Sequence, residues 1–215
     1  MFCRNNFSLA VAPDKASPFP LISKSPHFAR KTPVMNTATN ARYGLINIML
    51  HWLTLLVLIG VYACINLTDL YPRGSDMRAL LKSWHFSLGL SVLLLAAVRL
   101  FVGAWGDKPP IAPEPPLWQS RLSAAVHVAL YGLMIAMPLL GWLLLSASGE
   151  PIHYFGWQLP GLVAENQVLA ERVKDLHETI GSIGYFLIGA HALAALYHHY
   201  VLHDNTLLRM LPGKR

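Results

Sequence analysis

The chain has 215 residues, 54% of them hydrophobic and only 13% charged. A soluble domain carries about 25% charged residues, so an ordinary soluble fold is excluded and one integral membrane domain is expected. The net charge of +6 lies partly in the first 35 residues and suits membrane orientation and lipid contact, not nucleic acid. The two cysteines, Cys3 and Cys64, form neither CxxC nor CxxCH, so no zinc ribbon or covalent haem attachment is indicated.

Residues 1–40 hold Pro13, Pro18, Pro20, Pro26 and Pro33 among scattered Ser, Lys and Arg. No helical period survives that many prolines, so a disordered or mis-annotated extension is expected. Met35 offers an alternative start. Residues 41–215 form the second part and hold four apolar stretches, at about 45–67, 83–104, 122–148 and 179–202. Each reaches the ~20 residues that cross ~30 Å of hydrocarbon. An all-α, four-helix integral membrane bundle follows. The linker after the second stretch, GDKPPIAPEPPLWQS, is too rich in proline to be helical and reads as a stiff surface loop.

Lys and Arg in the short loops set orientation. Arg42, Arg99, Lys108, Arg121, Arg209, Lys214 and Arg215 fall on the side of the termini, against Arg73, Arg78, Lys82, Arg172 and Lys174 on the other. Both termini are therefore expected in the cytoplasm, with the outer loops across the membrane.

Histidine inside a span is costly and marks function. His177 opens the fourth stretch and His191 follows fourteen residues later, roughly 21 Å along the axis and ~40° off the same face. His85 opens the second stretch on the outer side, and His51 lies in the inner half of the first. Depth pairs His85 with His177 and His51 with His191. Two imidazoles fill the two axial positions of a haem iron, so two irons stacked across the bilayer are expected. A plain interhelical hydrogen bond explains one such histidine, but not four that sort by depth. Zinc would need its ligands to converge on one point, and the fourteen-residue spacing separates them.

His198 shares the stripe of His191, about 20° away, and is the other candidate for the inner position; depth favours His191. His127, early in the third stretch, has three open roles: holding a haem propionate, lining a quinone pocket, or bonding at the interface. Arg99 is the one charge inside a span and lies at the inner depth. There a guanidinium can fork onto a propionate, or snorkel to the headgroups. His198, His199 and His203 are placed at headgroup level, and His27 and His153 in loops. Gly89, Gly181, Gly184 and Gly189 let helices approach closely or leave room for a flat macrocycle. Trp52 and Trp84 suit membrane aromatic belts.

The HW pair at 51–52, SWHFSLGLSVLLLAAVRL, VHVALYGLMIAMPLLGW and LHETIGSIGYFLIGAHALAALYHHYVLHDNTLLRMLP resemble the bacterial cytochrome b561 family, and within it the small members that act as superoxide oxidase. The resemblance covers about residues 41–214. It implies an inner-membrane protein with two non-covalent haem b groups and axial ligands at His51, His85, His177 and His191. It also implies respiratory electron transfer with ubiquinone as exchangeable substrate.

Iron ligated by two histidines has no open position, which favours outer-sphere electron transfer over oxygen binding. The outer cations can draw in a small anion such as superoxide. The expected activity is electron transfer from superoxide to ubiquinone. The alternative is an electron-relay cytochrome subunit between the quinone pool and a partner oxidoreductase. The short loops and the lack of a soluble redox domain favour a stand-alone or homodimeric protein.

Overall fold

The computed structural model describes residues 42–106 and 108–213. The proline-rich extension and the alternative start at Met35 lie outside the described residues. Four helices fill most of the rest: α1 (Leu45–Leu67), α2 (Asp76–Trp105), α3 (Leu117–Ala147) and α4 (Gln167–Tyr200). All four are long and apolar enough to cross a membrane. Their apolar side chains largely face outward, as with Leu56 at 65% and Phe186 at 80% exposure. In water that surface would be untenable; in lipid it is the solvent-facing side.

The helices lie over the four apolar stretches, but three begin earlier than hydropathy alone places them. α4 starts at Gln167, not near Thr179, because Asn166 caps it: the Asn166 side chain accepts from the Leu169 amide at 3.1 Å. α2 starts at Asp76 behind Ser75, whose hydroxyl accepts from the Arg78 amide at 3.4 Å. Such caps satisfy amides that the first turn leaves unbonded. α3 follows Pro116, the end of the proline-rich loop. Pro138 inside α3 removes an amide that would bond to the Met134 carbonyl.

Short connections make sequential neighbours antiparallel: α1 packs on α2, α2 on α3 and α3 on α4. The end that carries Arg42 and Gly213 is called the inner end, after the orientation expected from the Lys and Arg distribution. Val92, Ala96 and Met134 form a buried cluster at mid-depth, flanked by Val57, Leu58, Val61, Tyr131 and Ile135. It ties α1, α2 and α3 together.

α1 and α4 meet through side chains. Tyr62 donates its hydroxyl to the Gly181 carbonyl at 3.0 Å and packs on Tyr185 with ring centres 4.3 Å apart. Asn66 donates to the Tyr185 hydroxyl at 2.6 Å. The Tyr62 hydroxyl occupies the space that a Cβ at Gly184 would need, so any larger residue there would have to displace the Tyr62 ring.

Between α3 and α4 lies a two-stranded antiparallel hairpin, β1 (Ile152–Tyr154) and β2 (Trp157–Leu159), with Tyr154 opposite Trp157. At the inner end, residues 203–213 fold back under the bundle. Trp52 donates to the Met210 carbonyl at 2.7 Å and Arg42 to the Leu211 carbonyl at 2.9 Å. Arg209 donates to the Tyr43 hydroxyl at 3.0 Å. Asn205 exchanges bonds with Ala112: its side chain accepts from the Ala112 amide at 2.9 Å, and its own amide donates to the Ala112 carbonyl at 3.3 Å. The tail thus joins the start of α1, the α2–α3 loop and the end of α4.

Candidate functional site

The outer pair comes from α2 and α4. The ring centres of His85 and His177 are 6.1 Å apart, with planes at 71°. His85 Nδ1 lies 2.9 Å from the Val61 carbonyl. A carbonyl only accepts, so Nδ1 carries the proton and Nε2 keeps its lone pair. A neutral imidazole with its second nitrogen fixed this way is how proteins present a metal ligand. His177 Nδ1 is buried without a hydrogen-bond partner. Its ring rests against Gly141 of α3, where a Cβ would sit 3.5 Å from the His177 Cε1.

The inner site is richer. His51 of α1 and His191 of α4 have ring centres 6.3 Å apart, with planes at 62°. His127 of α3 lies 5.3 Å from His191. The His127 Nδ1 donates to the Ser123 carbonyl one turn back, at 2.6 Å, so its Nε2 is free. Arg99 of α2 turns inward: its Nη2 is 3.2 Å from the His51 Nδ1, and its guanidinium sits 5.5 Å from the centre of the Tyr131 ring. Arg99 is not snorkelling to the headgroups. Guanidinium only donates, so the His51 Nδ1 is an acceptor in this arrangement.

The donor set can be tested against haem. A metal–imidazole bond is about 2 Å and the ring centre lies about 1.1 Å behind the nitrogen, so two imidazoles on opposite sides of one iron have centres about 6.3 Å apart. Both pairs match that separation. Among the described residues no three His, Cys, Asp or Glu side chains gather as they would around a chelated ion. The outer pair also has the right tautomer at His85. At the inner pair, a neutral His51 ligating through Nε2 requires Arg99 to release Nδ1, and a carboxylate would be a stronger acceptor for it.

His198 faces away from His51. Its Nδ1 bonds the Asp204 carboxylate, which also accepts from the Thr206 amide at 2.8 Å. Burial alone pushes the Asp204 carboxyl up, but the bonds from His198 and Thr206 outweigh it and hold it below the usual carboxylate range. His153 lies on β1, and His199 and His203 lie at the inner end near the tail. His27 lies outside the described residues. Trp84 packs edge-on against Phe155 of the hairpin, 5.8 Å between ring centres.

Sequence reasoning did not find the Val61 carbonyl, the Gly141 contact or the Tyr62–Asn66–Tyr185 crossing. The first two carry no signal in the letters, because a backbone carbonyl belongs to every residue and Gly141 resembles any packing glycine. Tyr62 and Asn66, four residues apart in the outer half of the first span, were a readable polar stripe.

A family model described as prokaryotic cytochrome b561 matches residues 42–213. Cytochrome b561 homolog 1 of Escherichia coli (strain K12) is 40% identical over 174 residues, covering 81% of this chain and 99% of that protein. The probable superoxide oxidase CybB of Yersinia pestis is 39% identical over 174 residues, covering 81% of this chain and 98% of that protein. Cytochrome b561 homolog 2 of Escherichia coli (strain K12) is 32% identical over 180 residues, covering 81% and 94%.

Proposed function

The chain belongs to the prokaryotic cytochrome b561 family, membrane b-type haem proteins of electron transport, and from that premise we propose that it carries electrons from superoxide to ubiquinone. The observation that carries the reading is the pair of imidazole pairs, with ring centres 6.1 and 6.3 Å apart at the two depths. Two haem b groups per chain would be held, one by His85 and His177 and one by His51 and His191. When bound, haem would supply a one-electron iron couple, suited to outer-sphere transfer.

The protein's own residues do the rest. Arg78 is tied to the Thr68 carbonyl and Asp69, and Lys174 to Glu178. Arg73, Lys82 and Arg172 have no ion pair among the described residues, so their field is free to draw a small anion to the outer end. At the inner end Arg99 would hold a haem propionate, leaving the His51 Nδ1 free to carry a proton. His127 presents Nε2, an acceptor when neutral and a donor when protonated, where a reduced quinone oxygen needs a proton. Two superoxide anions, one quinone and two protons give two oxygen molecules and one quinol. The inner end faces the cytoplasm of a bacterial inner membrane, and the protein works alone or as a homodimer.

The test is quinol formation by the purified haem-loaded protein under a steady superoxide supply. Quinol should form in proportion to superoxide consumed and stop on addition of superoxide dismutase. Quinone reduction indifferent to superoxide, with haem still reducible by quinol, would leave the relay role instead.

A further inference from the structure

The α3–α4 connection reads from sequence as a loop, but its hairpin folds back along the outer part of the bundle. On α2 the last charge before the apolar run is Lys82, and the Ser91 hydroxyl is 3.3 Å from the Tyr154 hydroxyl. Nine residues of helix place Ser91 about 13 Å inward of Lys82. A tyrosine side chain is shorter than that, so the β1 backbone itself sits inward of Lys82. A second marker agrees. Trp142 donates to the Pro160 carbonyl at 3.0 Å, and its neighbour Gly141 touches His177. The return strand therefore ends within a side chain's length of the outer histidine level, an interfacial level at which α4 carries the exposed Lys174–Glu178 pair.

The hairpin's composition suits that depth. No Asp, Glu, Lys or Arg occurs between Glu150 and Glu165. Ile152 is buried against the bundle, whereas Phe155 and Trp157 at the tip are 52% and 80% exposed. They continue the outward apolar surface of α2, where Trp84 meets Phe155 and Leu94 is 59% exposed. The polar His153 and Gln158 form one cross-strand pair behind the tip. The turn is also built around an aromatic residue at a conformational cost. Phe155 and Gly156 have φ of 47° and 88°, values that a two-residue hairpin turn normally gives to Asn, Asp or Gly. A non-glycine side chain kept in the left-handed region at a conformational cost points to a role for its ring.

We propose that the 152–159 hairpin is a re-entrant interfacial anchor, with its Phe155–Trp157 tip seated at the headgroup–acyl boundary of the outer leaflet. The occupant of the exposed tip is lipid. Packing of β1 on α2 and α3 shelters part of its backbone, which is the condition for non-helical chain at membrane depth. Aromatic rings are the side chains that membrane interfaces favour.

The test is spin-label accessibility in the full haem-loaded protein, reconstituted in phosphatidylethanolamine–phosphatidylglycerol vesicles. Cys3 and Cys64 are replaced by Ser, and single labels are placed through Trp157→Cys, with Leu94→Cys as lipid reference and Glu165→Cys as aqueous reference. The Trp157 label should relax with oxygen more than with a water-soluble nickel chelate, as at position 94. A chelate-dominated response like that at 165 overturns the proposal. Low access to both agents overturns it too, because the tip is then covered by protein, a second copy being the simplest source. A label through His153→Cys repeats the measurement without touching the tip, and should give the same sign with a smaller oxygen excess.

Discussion

His85 at the outer end is oriented by a backbone carbonyl, that of Val61, whereas His51 at the inner end is oriented by the Arg99 guanidinium. The carbonyl is fixed by the α1 helix and fixes one tautomer. The guanidinium sits on a long side chain and can exchange one acceptor for another. The outer pair is therefore preorganised by the fold, while the inner pair depends on a charge and on a third histidine, His127. The outer end is closed by tyrosines and a hairpin; the inner end is closed by the returning tail.

The largest effects should come from the imidazoles themselves. His177→Ala should remove the outer haem and His191→Ala the inner one, each leaving one haem per chain by pyridine haemochrome assay. His198→Ala should leave both, because His198 serves Asp204. Loss of a haem in His198→Ala with both retained in His191→Ala would reverse the assignment of the inner end. Next comes Arg99→Leu. If a mobile charge supports only the inner pair, inner haem affinity falls about 10- to 100-fold, the range for residues behind a metal ligand, and the outer haem is untouched. Equal weakening of both haems would erase the contrast between the ends.

Gly184→Ala probes the outer crossing. Its Cβ would meet the Tyr62 hydroxyl and lie 3.2 Å from a Leu133 methyl, so thermal unfolding should show a loss of about 1–3 kcal/mol. Gly141→Ala is the milder control, since its Cβ meets only an ordinary 3.5 Å contact.

A smaller effect is set by acid at the inner end. The Asp204 carboxyl is held below its usual range, so its contribution is full above the unfolded value near 3.9 and is lost as pH falls through the folded one. The stability gap between the wild-type chain and Asp204→Asn should therefore stay constant above about pH 5 and narrow as pH falls below about 4. The smallest expected effect is none: deleting residues 1–34 should change neither haem content nor membrane insertion, as read by haemochrome assay and membrane fractionation.

The four spans were legible because hydrocarbon tolerates so few charges, and the histidine pairing because a fourteen-residue helical step measures depth directly. The inner surroundings were less so. Arg99 was open between propionate and headgroup, since sequence gives a side chain's depth but not its direction. The DNTLLRM tail stood out as a motif without a visible task. Its task is long-range, Met210 serving Trp52 and Leu211 serving Arg42, and spacing along the chain does not encode such partners. The hairpin was hidden by its turn, Phe-Gly in place of Asn-Gly.

The same tail bears on how the protein is made. Trp52 and Met210 are 158 residues apart, so the first helix is in the membrane long before the ribosome delivers the carbonyl that its indole binds. All four spans can be threaded while the inner end is still open. A message cut short just before the codon for Arg209 would yield a fully inserted protein with Trp52 and Tyr43 missing these partners. Delivery of residues 209–211 is then the event that seals the inner end, and errors in those codons would surface as a frayed first helix.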